Sequence, residues 1–87
     1  MKKAILLDPK DSVLTVLEDV HPGDLVGNKE ESITALEEIP IYHKISRSDY
    51  AYGDKLYKYG EQIGYATAPI TKGSWIHTHN LQSHPVQ

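Results

Sequence analysis

Short apolar runs alternate with turn signals along the whole chain. Residues 12–17 mix Val, Leu and Thr, a composition that predicts a strand. Residues 31–36 alternate well enough for a second strand, although a helical turn through 37–38 is an alternative. Between residues 53 and 73 a glycine or proline recurs every four to seven residues, which leaves no room for helices of ordinary length. We therefore predict a mainly β fold of short strands and tight turns with little helix.

One turn pattern occurs three times, in residues 20–26, 50–56 and 70–76. Each copy has an apolar residue, two spacers, glycine, then Asp or Ser, one spacer and a second apolar residue. We interpret it as a tight turn in which glycine adopts a left-handed conformation and the flanking apolar side chains point into one core. The copies are 30 and 20 residues apart, so the pattern indicates local turn geometry and not a solenoid repeat.

The length limits the size of the core. A chain of 87 residues and 9.8 kDa has room for one small domain, which we take to span residues 1–87 with a tail or linker at 82–87. Hydrophobic residues make up 39% of the chain. We therefore expect a thin core and a stabilising partner. The chain has no cysteine, which excludes disulfides, thiolate zinc sites and thiol catalysis.

The apolar and charged residues narrow the classes of partner. No apolar stretch approaches the roughly 20 residues that span a bilayer, and the run after Met1 is too short for a signal peptide, so we expect a soluble cytoplasmic protein with no membrane partner. Residues 1–41 carry nine acidic and four basic side chains, whereas residues 42–87 carry three acidic and five basic ones. This mild positive balance suits a small anionic ligand and not nucleic acid, which requires a strongly basic face. Solvated surface charge is the alternative interpretation.

The segment His77-Thr78-His79-Asn80 is the sharpest candidate site. On a strand, residues two apart point to the same face, so both imidazoles would lie side by side. Transition-metal sites use such pairs, together with at least one further protein ligand. The Asn80 amide would suit a hydroxyl or carboxylate of a bound ligand. An exposed strand end with two alternating histidines is the alternative.

Two further positions offer positive charge in the same half. His43 and Lys44 combine a titratable ring with a cation, which suits a carboxylate, although a structural histidine beside a solvated lysine is the alternative. Lys58 precedes Tyr59-Gly60 in a segment that is not a phosphate-binding loop, because no Gly-Lys-Ser/Thr follows. We keep Lys58 as a ligand candidate and expect the rest of that segment to form a hairpin. The chain has no nucleophile elbow and, after residue 41, no carboxylate pair with acid/base spacing.

Three motifs follow one another in the second half of the chain. The set is His43-Lys44-Ile45, then Lys58-Tyr59-Gly60-x-x-Ile63-Gly64-x-Ala66, then Ile70-x-x-Gly73-x-x-Ile76-His77-x-His79-Asn80. It resembles the SAF domain of the altronate/galactarate dehydratase family, best over residues 39–81, and its last motif resembles the altronate branch more than the galactarate branch. In that family the domain is the N-terminus of a long chain or a separate small subunit, as in two-part altronate dehydratases and sulfolactate sulfo-lyases.

The resemblance implies a β-clip fold and a part in the elimination of water from an aldonic or hydroxy acid. It implies Fe²⁺ or a similar divalent metal such as Mn²⁺, bound mainly by a larger catalytic subunit or C-terminal dehydratase domain. In this interpretation His77 and His79 are catalytic and metal-binding. The expected contacts to the anionic sugar-acid substrate come from His43, Lys44, Lys58 and Asn80. We expect the chain to be inactive alone, and leave homo-oligomerisation open.

Two alternatives keep the same fold. One is the small subunit of a sulfolactate sulfo-lyase, which eliminates sulfite instead of water. The other is a carbohydrate-binding SAF module with no catalytic part. Co-purification with a large lyase subunit would separate both enzyme interpretations from the binding module, and an assay of altronate against sulfolactate would separate the two enzymes from each other.

Overall fold

Nine short strands and no helix make up the part of the chain that the structure describes. The structure is a computed structural model that describes residues 1–83. The strands are, in chain order, β1 (Lys2–Ile5), β2 (Val13–Val16), β3 (Leu25–Gly27), β4 (Ser32–Thr34), β5 (Lys44–Ser46), β6 (Lys55–Lys58), β7 (Glu61–Ala66), β8 (Trp75–Ile76) and β9 (Leu81–Ser83). The prediction of a mainly β fold is confirmed. Strands β2 and β4 lie within the two predicted runs, so the second run forms a strand and not a helical turn.

The strands form two sheets. The larger has the order β4-β3-β1-β2-β5-β8, and the smaller has the order β6-β7-β9. Only β1 and β3 run parallel; the other neighbouring strands are antiparallel. In the larger sheet Lys44 of β5 lies between Thr15 and Ile76, and Ile45 lies between Leu14 and Trp75.

Two hydrophobic cores lie on opposite faces of β2, β5 and β8, because successive side chains of a strand point to opposite faces. The larger core consists of Ala4, Leu14, Val16, Val20, Val26, Ile33, Ala35, Ile39 and Ile45. The smaller core joins the two sheets and consists of Val13, Leu56, Ala66, Ile70 and Ile76. Trp75 is half-buried and packs against the larger core, so its ring lies where that core meets solvent.

The three predicted turns are present, and their glycines have the expected left-handed conformation. The φ angles of Gly23, Gly53 and Gly73 are +89°, +87° and +94°. In each turn the N–H after the glycine donates to a carbonyl three residues earlier, as from Asp24 to His21 at 3.0 Å. This geometry is typical of a type II turn, which confirms the interpretation of the sequence pattern.

One more turn of the same form spans residues 39–45 and has tyrosine at the glycine position. In chain order it is the second of four turns, so the turns at 20–26, 50–56 and 70–76 are the first, third and fourth. The φ angle of Tyr42 is +69°, and the His43 N–H donates to the Pro40 carbonyl at 3.0 Å. The turn pattern in the sequence did not reveal it, because that pattern required glycine.

The four turns form two similar halves. Mutual backbone hydrogen bonds join the first and second turns through Val20 and Ile39 (3.0 Å each), and the third and fourth through Tyr50 and Ile70 (2.8 Å each). Carboxylates at matching positions accept hydrogen bonds from backbone N–H groups of the turns: Asp19, Asp24, Asp49 and Asp54. The 30-residue spacing in the sequence therefore marks an internal similarity that extends beyond local turn geometry.

The end of the described chain differs from the predicted tail. Gln82 and Ser83 lie in β9, where they pair with Tyr65 and Gly64 of β7, so the tail does not begin at residue 82. The remainder of the predicted tail, 84–87, lies outside the described residues. Residues 1–83 contain no helix long and apolar enough to cross a membrane.

Candidate functional site

The histidine and lysine candidates lie around the place where β5 begins and β8 ends. His43 immediately precedes β5, Lys44 is its first residue, and His77 immediately follows β8. Because β5 and β8 are antiparallel neighbours, with Lys44 opposite Ile76, these ends meet. The His43 and His77 ring centroids are 5.2 Å apart. Residues that are 34 positions apart in the sequence thus share one site.

Trp75 gathers the imidazoles. Its ring stacks on that of His77, with centroids 5.1 Å apart and planes 9° apart. The rings of His43 and His79 contact it as well, each with a centroid distance of 5.5 Å. The indole Nε1–H also donates a hydrogen bond to Nδ1 of His43 at 3.2 Å. We call these four residues the imidazole–indole cluster.

The backbone of the His-x-His segment is a turn and not a strand. β8 ends at Ile76, and the Asn80 N–H donates to the His77 carbonyl at 3.0 Å. The expectation that strand alternation aligns the two imidazoles is therefore wrong, and each imidazole instead contacts the Trp75 ring. His77 is half-buried and His79 is exposed, so neither ring is enclosed by the hydrophobic core.

The Asn80 side chain shapes this turn from inside. The residue is 8% exposed, its Oδ1 accepts the His77 N–H at 2.9 Å, and its Nδ2 donates to the Trp75 carbonyl at 2.9 Å. These bonds fix the backbone on which Trp75 and His77 stand. The Asn80 amide therefore positions the backbone of this turn. The contact of Asn80 with substrate, expected from the sequence, stays a prediction.

Lys44 and Lys58 extend the site with positive charge. Lys58 is the last residue of β6, in the other sheet. Burial, and then the positive charge of Lys58, hold the pKa of Lys44 below its usual value. The ion pairs formed within residues 1–83 involve other cations, namely Lys2, His21 and Arg47. The two ammonium groups therefore have no carboxylate partner in the described part of the chain.

His43, a member of the imidazole–indole cluster, lies close enough to Lys44 for the charge of that lysine to act on its ring. Burial, His77 and Lys44, in that order, lower the pKa of His43. The hydrogen bond from Trp75 acts in the same direction, because Nδ1 can accept it only when unprotonated. In that tautomer Nε2 carries the ring proton and is the donor that remains for a ligand. We call His43, Lys44 and Lys58 the cation group; added positive charge is disfavoured there and an anion is favoured.

Comparison with known proteins shows the family to which the chain belongs. The family model for the altronate/galactarate dehydratase SAF domain matches residues 2–84. The chain belongs to this family. The resemblance found in the sequence is thus confirmed, and it extends well beyond the best-matched part at 39–81 to include β1 and β2.

Three relatives contain a similar stretch, which is a small part of two of them and most of the third. Altronate dehydratase of Bacillus subtilis (strain 168) is 34% identical over 83 residues, which is 95% of this chain and 17% of that enzyme. Altronate dehydratase of Escherichia coli (strain K12) is 34% identical over 73 residues, 84% of this chain and 15% of that enzyme. The (2R)-sulfolactate sulfo-lyase subunit alpha of Paracoccus pantotrophus is 36% identical over 56 residues, 64% of this chain and 84% of that subunit. The SAF domain thus spans about one sixth of the altronate dehydratases that it matches.

The residues present fit a metal ion only in part. Imidazole nitrogens are common ligands of zinc, copper and iron, whereas manganese prefers oxygen ligands. Among residues 1–83 no three His, Cys, Asp or Glu side chains are arranged to hold one ion. Within residues 1–83, His77 and His79 can therefore supply at most two ligands of a site that residues outside this range would have to complete.

Residues that the sequence did not single out hold the site in place. Asp11 is 4% exposed, and its carboxylate accepts the N–H groups of Tyr59 (3.0 Å) and Gly60 (2.8 Å), next to Lys58. The Glu37 carboxylate accepts the Trp75 N–H at 2.8 Å. Acidic residues near turns are common in any loop-rich sequence, so no local signal distinguishes these two, and their contacts follow only from the fold.

Proposed function

We propose that this SAF domain binds the carboxylate of a sugar acid and works with a larger catalytic domain or subunit as an altronate dehydratase-like hydro-lyase. The observation that carries the proposal is the cation group, in which Lys44 and Lys58 repel one another and neither has an acidic partner among residues 1–83. A bound carboxylate would remove this repulsion. The family of the chain and the altronate dehydratases among its relatives support a sugar acid as the source of that carboxylate.

The same charges suit the reaction. Elimination of water from a 2,3-dihydroxy acid removes the proton on the carbon beside the carboxylate and the hydroxyl group on the next carbon. Negative charge accumulates on the carboxylate as the enediolate forms, and cations already in place stabilise it. In this proposal Lys44 and Lys58 hold and stabilise that charge, and Nε2–H of His43 donates to one of its oxygens.

The imidazoles of His77 and His79 provide proton transfer. Imidazole titrates near neutral pH, so a ring nitrogen can accept a proton from carbon or donate one to the departing hydroxyl group. Contact with Trp75 orients both rings, and His79 is open to solvent, which leaves room for a ligand. We assign the catalytic part of this chain to these two residues. In the alternative role, the ring nitrogens of His77 and His79 would hold a divalent metal such as Fe²⁺ or Mn²⁺ instead of transferring protons, and the metal would polarise the hydroxyl or carboxylate oxygens of the substrate.

The lengths of the relatives support a larger catalytic partner. The two altronate dehydratases are about six times as long as the stretch that they share with this chain, and the sulfo-lyase relative is by its name one subunit of an enzyme. The partial set of metal ligands in residues 1–83 also needs completion from outside. We therefore propose that the site lies between this SAF domain and a dehydratase domain or subunit.

A titration of the 87-residue chain with altronate, followed by amide and side-chain NMR signals, tests the binding step. We expect altronate to shift the signals of the cation group, and both Lys44→Met and Lys58→Met to weaken binding by about tenfold or more, since each removes a charged contact. Lys55→Met is the matched control, because Lys55 holds the position in the third turn that Lys44 holds in the second but is exposed. An equal effect of Lys55→Met, or no shift of the cation-group signals, would overturn the proposal.

One observation favours a second candidate. The chain is 36% identical to the sulfo-lyase subunit over 56 residues, and the matched stretch is 84% of that subunit. That candidate eliminates sulfite from sulfolactate at the same cation group. An assay of the chain with its large partner decides between them: turnover of altronate supports the first, and turnover of (2R)-sulfolactate alone supports the second.

A further inference from the structure

Two residues other than glycine have positive φ angles in residues 1–83, and both are exposed tyrosines. Tyr42 has φ +69° and is 69% exposed; Tyr59 has φ +59° and is 66% exposed. A bulky side chain rarely adopts this conformation, because its Cβ crowds the following carbonyl oxygen. Such strain persists where the surroundings impose it, and it concentrates at binding and catalytic sites.

Tyr42 occupies a position where glycine would be unstrained. Its turn matches three others, and those have Gly23, Gly53 and Gly73 at the same place, all with positive φ. The tyrosine therefore has no advantage for the turn itself. It lies directly before His43 and two residues before Lys44, the first residue of β5.

Tyr59 is attached to the cation group by a direct contact. Nζ of Lys58 lies 5.1 Å from the centroid of the Tyr59 ring. The buried Asp11 carboxylate accepts the N–H groups of Tyr59 and Gly60, which fixes the strained turn. One side of the ring thus lies against a cation of the site, while about two thirds of the residue stays open to solvent.

We propose that Tyr42 and Tyr59 contact the hydroxylated carbon chain of the sugar acid whose carboxylate the cation group holds. This inference rests on the proposed function and adds the part of the ligand that the charges do not reach. A tyrosine ring packs against the C–H groups of a polyol, and its hydroxyl group exchanges hydrogen bonds with the polyol hydroxyls. The two tyrosines would then set a preference for long-chain acids over short hydroxy acids.

A comparison of two ligands tests this contact. Altronate and lactate share the 2-hydroxy carboxylate, but lactate lacks the hydroxylated chain. The variants Tyr42→Asn and Tyr59→Asn remove the rings while keeping a residue that tolerates positive φ. Tyr52→Ala is the matched control, because Tyr52 is 71% exposed in the third turn, which carries no residue of the cation group. NMR titrations of the 87-residue chain give both affinities for each variant.

The expected result is selective. The altronate affinity of Tyr42→Asn and Tyr59→Asn falls by about three- to tenfold, their lactate affinity is unchanged, and Tyr52→Ala changes neither. Equal losses for altronate and lactate would mean that the tyrosines only shape the cation group, and no loss for either would mean no contact; both results overturn the inference. So does a loss confined to the affinity for the large catalytic partner. A wild-type chain that binds neither acid would instead overturn the proposed function itself.

Discussion

The four similar turns differ in what surrounds them. A Cβ atom added at Gly23 or Gly53, in the first and third turns, would have open space around it. In the fourth turn Gly73 lies against the Thr34 carbonyl oxygen, so that a Cβ atom there would collide with backbone. Most of the site residues follow the second and fourth turns, as His43, Lys44 and Trp75, whereas Lys58 lies at the end of β6, beyond the third turn. The same type of turn is therefore a surface turn in the first and third copies, whereas it lies beside the site in the second and fourth.

The strands that follow the turns explain this difference. The second and fourth turns lead into β5 and β8, which are neighbours in one sheet, so the side chains after those turns meet. The first and third turns lead into β3 and β6, which belong to different sheets. Lys55 and Lys44 hold the same position in their turns, yet Lys55 is exposed and Lys44 is half-buried between β2 and β8. Strand pairing, and not the turn, creates the environment for the chemistry.

The largest expected effect comes from the histidines after the fourth turn. In a complex with the large catalytic partner, we expect His77→Ala and His79→Ala each to lower turnover by about 10² to 10⁴, the usual contribution of acid–base groups, while the domain stays folded by NMR. His21→Ala is the control, because His21 is an exposed histidine of the first turn whose ring contacts Glu38. Wild-type turnover in both variants would refute the assignment.

The next effect compares the glycines of the first and fourth turns. Gly23→Ala places a Cβ atom on a residue with positive φ but in open space, which costs about 1–2 kcal/mol. Gly73→Ala adds a collision with the Thr34 carbonyl, so we expect the free energy of unfolding to fall by about 3 kcal/mol or more. Denaturant titration measures both. Equal losses would show that the fourth turn is as free of contacts as the first.

A smaller effect, of opposite sign, comes from the second turn. Tyr42→Gly gives this turn the residue of the other three and removes the strain of a left-handed tyrosine, so we expect the free energy of unfolding to rise by about 0.5–1 kcal/mol. Tyr52→Gly, at a residue whose φ is not positive, should lower it by a similar amount because glycine has more freedom in the unfolded chain. Thermal denaturation of the two variants gives the comparison. Destabilisation by Tyr42→Gly would show that the ring stabilises the folded domain.

The elements that depend on local chemistry could be predicted from the sequence. Glycine at a fixed place between apolar residues predicted three turns correctly, because its conformational freedom is a property of that residue alone. The order of the motifs indicated the family correctly, and the roles of the site residues that the resemblance implies stay predictions. The second turn was missed because Tyr42 breaks the local rule, and a break of that kind is itself a signal of function.

The way in which the site is assembled could not be predicted. Alignment of His77 with His79 was expected from strand alternation. However, β8 ends at Ile76, one residue before His77, and both imidazoles contact the Trp75 ring instead. The proximity of Lys58 to Lys44 depends on how the smaller sheet docks on the larger, through a core formed by residues distant in sequence. Spacing along the chain carries no information on either contact.

The smallest effect is the titration of His43, and it tests the charge of the site directly. Burial, His77 and Lys44 lower the pKa of His43, so the folded state binds its proton less readily than the unfolded chain, in which histidine titrates near about 6.5. Stability is therefore lost as the pH falls below about 6.5, down to the lowered pKa of the folded state. The ring signals of His43, followed by NMR against pH, give this pKa. A value at or above about 6.5 in the free chain would contradict the assignment of a cation group.

Ligand binding should shift the pKa of His43 in the opposite direction. A carboxylate among His43, Lys44 and Lys58 favours the protonated ring, so bound altronate should raise the pKa of His43, and by linkage altronate should bind more tightly as the pH falls through this range. Lys44→Met should also raise the pKa of His43 in the free chain, because it removes one of the neighbouring charges. The ring signals of His21 provide the control, since that histidine lies in the first turn, against Glu38. If altronate leaves the titration of His43 unchanged, the second and fourth turns do not surround an anion site, and their difference from the first and third turns is one of packing alone.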